Sequence, residues 1–143
     1  GLGAFCNAGG CWSGTQRFEV ASAKSYDERD FDLICFMDCL HNMGDPVGAA
    51  RHARQALKDD GTLLLVEPAA GDGVQDNINP ISRLYYAAST AVCTPCSKSQ
   101  EIGLALGAQA GEARLSDVLR EAGFGHVRRA AETPFNLIIE ARK

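Results

Sequence analysis

The chain has 143 residues, a formal net charge of −4, 45% hydrophobic residues and 22% charged residues. That length suits one domain with a real core, and the composition excludes wholesale disorder. No apolar run approaches the ~20 residues of a membrane-crossing helix. A mildly acidic chain without a Lys/Arg cluster also lacks the phosphate-neutralising charge that nucleic-acid binding uses.

Residues 1–16 mix Gly, Cys and Ser without periodicity and are expected to be an irregular tail ahead of one unit spanning 17–143. The opening Gly1-Leu2-Gly3-Ala4-Phe5 shows no basic stretch followed by an apolar run. A reducing cytoplasm with free thiols is therefore expected. Residues 17–21 (RFEVA) suggest a short strand. Phe31–Met37 (FDLICFM) is a continuous apolar run, the pattern of a strand buried on both faces of a parallel sheet. Cys35 and Cys39, in and beside it, read as buried small hydrophobes.

Asp45-Pro46 offers an N-cap followed by proline at the first helical position. Val47, Ala50, Ala53, Arg54 and Leu57 then recur at helical spacing, and Asp59-Asp60-Gly61 is expected to end that helix. Residues 62–67 (TLLLVE) predict a second buried strand, so strand, helix and strand form one parallel unit. A Gly/Asp/Asn-rich loop follows at 69–79. A helix is predicted over 80–92, with Ile81, Leu84, Tyr85 and Ala88 on one side. Cys93-Thr94-Pro95-Cys96 is expected as two thiols on a loop. The alternatives are a zinc site with Cys6 and Cys11 or a redox pair.

Residues 97–112 predict mostly loop. Leu115, Val118, Leu119 and Ala122 predict a helix, with Gly123 as its left-handed cap and Phe124 packing back. Residues 126–132 and 135–142 are expected as strands, and Thr133-Pro134 between them is too short for anything but an antiparallel pair. The result is an α/β fold: parallel strands with a C-terminal antiparallel hairpin.

Three stretches carry a resemblance. Residues 31–46 (FDLICFMDCLHNMGDP) are similar to the fourth strand and "LHH-x-x-D-P" turn of the class I S-adenosylmethionine-dependent methyltransferases. Residues 57–68 (LKDDGTLLLVEP) resemble that family's "L-x-P-G-G-x-L-x-x-x-E" entry to the fifth strand. Residues 121–124 (EAGF) resemble its "x-A-G-F" helix end. Residues 79–115, with Leu84-Tyr85-Tyr86 and GAQAGEAR at 107–114, look like a bacterial subgroup that has a winged-helix N-terminal region. The resemblance implies a Rossmann-like sheet, S-adenosylmethionine as cofactor, a small-molecule acceptor and methyl transfer to an O, N or C nucleophile.

It also implies a departure. The family holds its cofactor at a glycine-rich turn after the first strand, where backbone approaches the ligand closely. Gly1-Leu2-Gly3 has no preceding strand and lies 28 residues before Phe31. The expectation is the C-terminal part of such an enzyme, lacking two strands, with weak or absent cofactor binding.

By the same resemblance His41 is the candidate catalytic residue, as general base, as in the "H-D-W-S-D" turn of plant-type O-methyltransferases, with a structural or cofactor-positioning role as the alternative. Ser22, Ala23, Phe36 and Cys39 fall where the cofactor lies, with plain core as the alternative for Phe36. Met43, Tyr85, Tyr86 and Asn136 are candidates for the acceptor pocket. Helix packing is the alternative for the tyrosines, and a hairpin hydrogen bond for Asn136. No metal ligand set is assigned. His52 and His126 read as surface residues. An uncovered Phe31–Met37 edge would favour a homo-oligomer, since unpaired strand edges invite pairing. A truncated, non-enzymatic module that self-associates there is the alternative to an enzyme.

Overall fold

The computed structural model describes residues 18–143. The tail at 1–16, Cys6, Cys11, the Gly1-Leu2-Gly3 stretch and Arg17 lie outside the described residues.

The first regular element is β1 (Phe31–Met37). Residues 18–21 form no strand, contrary to the sequence expectation. Phe18 and Val20 are exposed and the segment has no neighbouring strand among the described residues, and a β-strand is stable only against a partner.

Helix α1 (Pro46–Ala56) starts as the sequence predicts. Asp45 Oδ1 accepts from the Gly48 N–H at 2.8 Å, and Pro46 fills the first turn. The helix stops earlier than expected, at Ala56. Strand β2 (Leu57–Pro68) begins at once and runs through Asp59-Asp60-Gly61. Gly61 makes this passage possible: a Cβ there would lie 2.7 Å from the Phe31 carbonyl oxygen of the neighbouring strand.

β1 pairs with β2 in parallel, Ile34 against Leu63 and Phe36 against Leu65. The chain ends in β3 (His126–Glu132) and β4 (Asn136–Arg142), an antiparallel pair. β4 inserts between β2 and β3, so the sheet order is β1-β2-β4-β3. The two central strands supply Leu63, Leu65, Leu137, Ile139 and Ala141. These pack with Ala49, Ala50 and Ala53 of α1 and with Leu115, Val118 and Leu119 further along the chain. Fully burying one such leucine stabilises the fold by about 1.5–3 kcal/mol.

Among the described residues β1 is an edge strand, not one buried on both faces. Only Phe36 is buried in it, while Leu33 and Met37 are 53% and 56% exposed. Cys35 is exposed for the same reason, against the expectation of a buried thiol.

Helix α2 (Pro80–Ala88) continues through a π-turn (Ser89–Cys93) into α3 (Thr94–Lys98). The predicted helix is thus extended past 92, and Cys93 and Cys96 sit on it rather than on a loop. Pro95 has no N–H and would clash in an ordinary helix. The π-turn, in which the Thr94 N–H donates to the Ser89 carbonyl, accommodates it. The buried face of this helix is also not the apolar one: Leu84 is exposed, while Ser82, Ser89 and Ser97 are buried. Ser89 Oγ accepts from the Ala108 N–H at 3.0 Å, which fastens the following loop.

Helix α4 (Gly111–Glu121) ends as predicted. Gly123 has φ 102, its N–H donates to the Arg120 carbonyl, the Phe124 N–H donates to the Leu119 carbonyl, and the Phe124 ring is buried. Among the described residues no helix is long and apolar enough to cross a membrane.

Candidate active site

Open α/β sheets carry their chemistry at the carboxyl ends of the parallel strands. Here β1 ends at Met37. Asp38 enters the left-handed region (φ 51) and donates its N–H to the Val66 carbonyl at 2.8 Å, turning the chain across the end of the sheet. A short 3-10 turn, Leu40–Asn42, follows. It places His41, 4% exposed, against Glu67, 1% exposed, at the end of β2.

The Glu67 carboxylate is used twice. Oε1 accepts from the Leu40 N–H at 2.8 Å, and Oε2 is hydrogen-bonded to His41 Nδ1. A buried carboxylate must be paired, and this one is. Burial by itself pulls the His41 imidazole below its ordinary range. The hydrogen bond to Glu67, the charge of Glu67 and the charge of Asp38 outweigh it, so the net shift is upward. With Nδ1 committed to Glu67, Nε2 is the nitrogen that can exchange a proton.

Asp38, His41 and Glu67 bring ligand-type atoms within 4.8 Å of one another. His41 Nδ1 is already held by its hydrogen bond to Glu67. The Cys39 thiol beside them is pushed up to about 11, by burial first and then by the Glu67 charge, which removes it as a nucleophile at neutral pH.

Two cavities flank this end of the sheet. One, of about 350 Å³, is walled by Ser22, Ala23, Lys24, Met43, Gln100 and Glu101 among others. The other, of about 430 Å³, lies between the 69–79 loop and the β3–β4 hairpin and includes Asn77, Arg129, Thr133 and Asn136. A third concavity, about 540 Å³, is elsewhere. It is lined by Arg120, His126, Arg128 and Arg142, and Glu140 pairs with two of these arginines. It contains none of the groups around His41.

The sequence profile of the methyltransferase domain matches residues 10–125. This chain belongs to the methyltransferase domain family. Its fold is shared by solved structures of low identity. A structure of PigF with SAH aligns with a TM-score of 0.63 at 17% identity, over 85% of this chain and 33% of that one. The mitomycin 7-O-methyltransferase MmcR aligns at 0.59 and 16%, over 86% and 33%. An O-methyltransferase family protein from Burkholderia thailandensis aligns at 0.57 and 21%, over 85% and 33%. The chain therefore spans about a third of the length of these structures. No curated protein sequence matches it.

In this methyltransferase domain the sequence-derived site residues separate. Ser22, Ala23 and Met43 share the 350 Å³ cavity. Phe36 belongs to the core, and Cys39 packs against that core. Tyr85 donates its hydroxyl to the Phe135 carbonyl at 3.1 Å, and Tyr86 is 38% exposed. Asn136 walls the second cavity, while its backbone N–H and carbonyl close the hairpin with Thr133. Met43 and Asn136, both assigned to the acceptor, thus lie in different cavities.

His52 is half-buried rather than a plain surface residue. Its ring stacks edge-on against Tyr26 at 4.3 Å, and Nε2 bonds the Tyr26 carbonyl. Glu67, Gln100 and Glu101 were not singled out from the sequence. The signal for Glu67 was present: a carboxylate closing an otherwise apolar strand demands a partner. Gln100 and Glu101 sit in a stretch without periodicity.

Proposed function

We propose that this chain is part of an S-adenosylmethionine-dependent methyltransferase that acts on a small molecule, with the cofactor's nucleoside end in the cavity walled by Ser22, Ala23 and Met43. The observation that carries the reading is the buried His41–Glu67 pair at the carboxyl end of a parallel strand pair, with Met43, two residues further along the same turn, on the wall of that cavity. The cavity's 350 Å³ is at the low end of small-molecule sites and suits a nucleoside rather than the whole cofactor. Ser22 offers its hydroxyl and Met43 an apolar wall. A cavity of that size holds only part of the cofactor, so binding in the millimolar range is the expected strength.

When bound, the cofactor supplies a methyl group on a sulfonium. His41 then takes the acceptor's proton at Nε2, while Glu67 fixes its tautomer through Nδ1 and stabilises the imidazolium. A hydroxyl acceptor suits that role best, because its proton must leave as the oxygen attacks.

Titration with S-adenosylhomocysteine, followed by amide NMR, tests the site. Shifts at Ser22, Ala23 and Met43 in the millimolar range are expected. Shifts confined to the Arg128–Arg142 concavity, or none, would refute the placement. Transfer of a radiolabelled methyl group that is unchanged in His41→Ala would remove the histidine's proton-handling role.

A second reading has one observation in its favour. Among the described residues β1 has a single neighbour in the sheet and exposes Leu33 and Met37, and an edge of that kind suits pairing with a second copy as a non-enzymatic module. Light scattering that gives a monomer at high concentration would refute it.

A further inference from the structure

The turn that carries His41 is held on one side by Glu67. On its other side lies a strap formed by the end of α3 and residues 99–105. Gln100 reaches across it. Its Oε1 accepts from the Gly44 N–H at 3.0 Å, and its Nε2 donates to the Asn42 carbonyl at 2.9 Å and to the Cys96 carbonyl at 3.1 Å. Ser97, fully buried, donates its hydroxyl to the Met43 carbonyl at 2.7 Å and accepts from the Ala105 N–H at 3.0 Å. The Leu104 N–H donates to the Gly44 carbonyl at 2.9 Å. The three carbonyls of residues 42–44 and the Gly44 N–H are therefore all bonded from the strap.

Two further observations mark this contact as specified. A Cβ on Gly44 would lie 2.5 Å from the Gln100 Cβ and 2.8 Å from the Glu101 carbonyl oxygen, so only glycine admits the strap this close. The strap also holds Ile102 (φ 75) and Ala105 (φ 55) in the left-handed region, which a β-branched residue rarely adopts. Such conformations persist where tertiary contacts over-determine them, and they cluster at functional sites.

We infer that Gln100, seconded by Ser97, is a positioning residue that fixes the turn carrying His41 and so holds the imidazole against Glu67. The amide acts as a two-ended tie: one end accepts and the other donates, on either side of Met43. Glutamine is suited to this because its side chain carries both functions. The chemical meaning of the tie rests on the proton-handling reading of His41. Its structural effect does not require turnover.

The test is NMR of the 143-residue chain and its Gln100→Ala variant, with circular dichroism to verify the fold. An imidazole N–H hydrogen-bonded to a buried carboxylate gives a far-downfield proton resonance that survives only while water is kept away. In the wild type this His41 resonance should be visible. In folded Gln100→Ala it should broaden or vanish, and exchange of the Gly44 amide should quicken by roughly 3–10-fold, the worth of one ordinary hydrogen bond. A role limited to overall stability would leave the resonance of the folded variant unmoved. If Gln100→Ala does not fold, Gln100→Met, which keeps length but neither bonding function, takes its place with the same expectations. Persistence of the resonance together with unchanged Gly44 exchange in either folded variant would overturn the inference. No methyl donor enters the measurement, so absence of methyl transfer overturns the reading of function and not this one.

Discussion

Replacing Glu67 by glutamine should change how stability depends on pH, and the sign follows from the two partners. In the wild type His41 has a raised value in the folded state. Its contribution to stability is therefore fully present below the unfolded histidine value of about 6.5, and it is lost as the pH rises through the folded value. In Glu67→Gln the hydrogen bond to a carboxylate and the Glu67 charge are gone, while burial, the largest influence, still opposes the cation. The folded value then drops below 6.5, and protonation opposes folding. The two proteins should diverge most in acid. At pH 5.5 the folded variant must keep His41 neutral against an unfolded value of about 6.5, which costs up to about 1.4 kcal/mol on top of the lost stabilisation by Glu67. At pH 8 the imidazole is neutral in the variant, and the glutamine carbonyl can still accept from the Leu40 N–H, so the loss is about 1 kcal/mol. Urea unfolding at the two pH values measures both differences, and contributions from other titrating groups cancel between wild type and variant. An equal loss at both pH values, or a greater loss at pH 8, would refute the assignment of Glu67 as the source of His41's raised value.

Three further outcomes follow from the packing, the caps and the thiols. Leu65→Ala, at a fully buried position in β2, should cost about 2–5 kcal/mol in urea unfolding, whereas Leu33→Ala on the exposed edge strand should cost much less. Asp45→Ala removes the Gly48 cap and the 3.2 Å ion pair with Lys24, and thermal unfolding should show a loss of about 1 kcal/mol, most of it from the cap. The Cys39 thiol moves from 9.0 to about 11, a roughly hundredfold smaller thiolate fraction at pH 8, so mass spectrometry should find it alkylated about a hundredfold more slowly in folded than in urea-unfolded protein.

Much of the fold was legible in the chain because local physics set it. The Asp45-Pro46 start of α1, the Gly123-Phe124 end of α4, the β1–α1–β2 parallel unit and the closing hairpin all follow from caps, periodicity and connection length. The position of His41 just past the carboxyl end of β1 was legible because it follows an apolar run. Apolar counting misled where polar side chains do the packing. The inner face of the 80–98 helix is held by Ser89 and Ser97 bonding to loops, and no hydropathy pattern marks a serine as buried.

By itself, then, the sequence determined the element types, their caps and the family whose motifs it carries, since each depends on residues close together in the chain. Tertiary structure alone decided the rest. It inserted β4 between β2 and β3, left β1 at the edge, joined His41 to Glu67 across 26 positions and tied Gln100 to Gly44 across 56. Those contacts depend on which strand ends and loops meet in space. The polar groups that make them carry a local signal only of needing a partner, not of which partner they find.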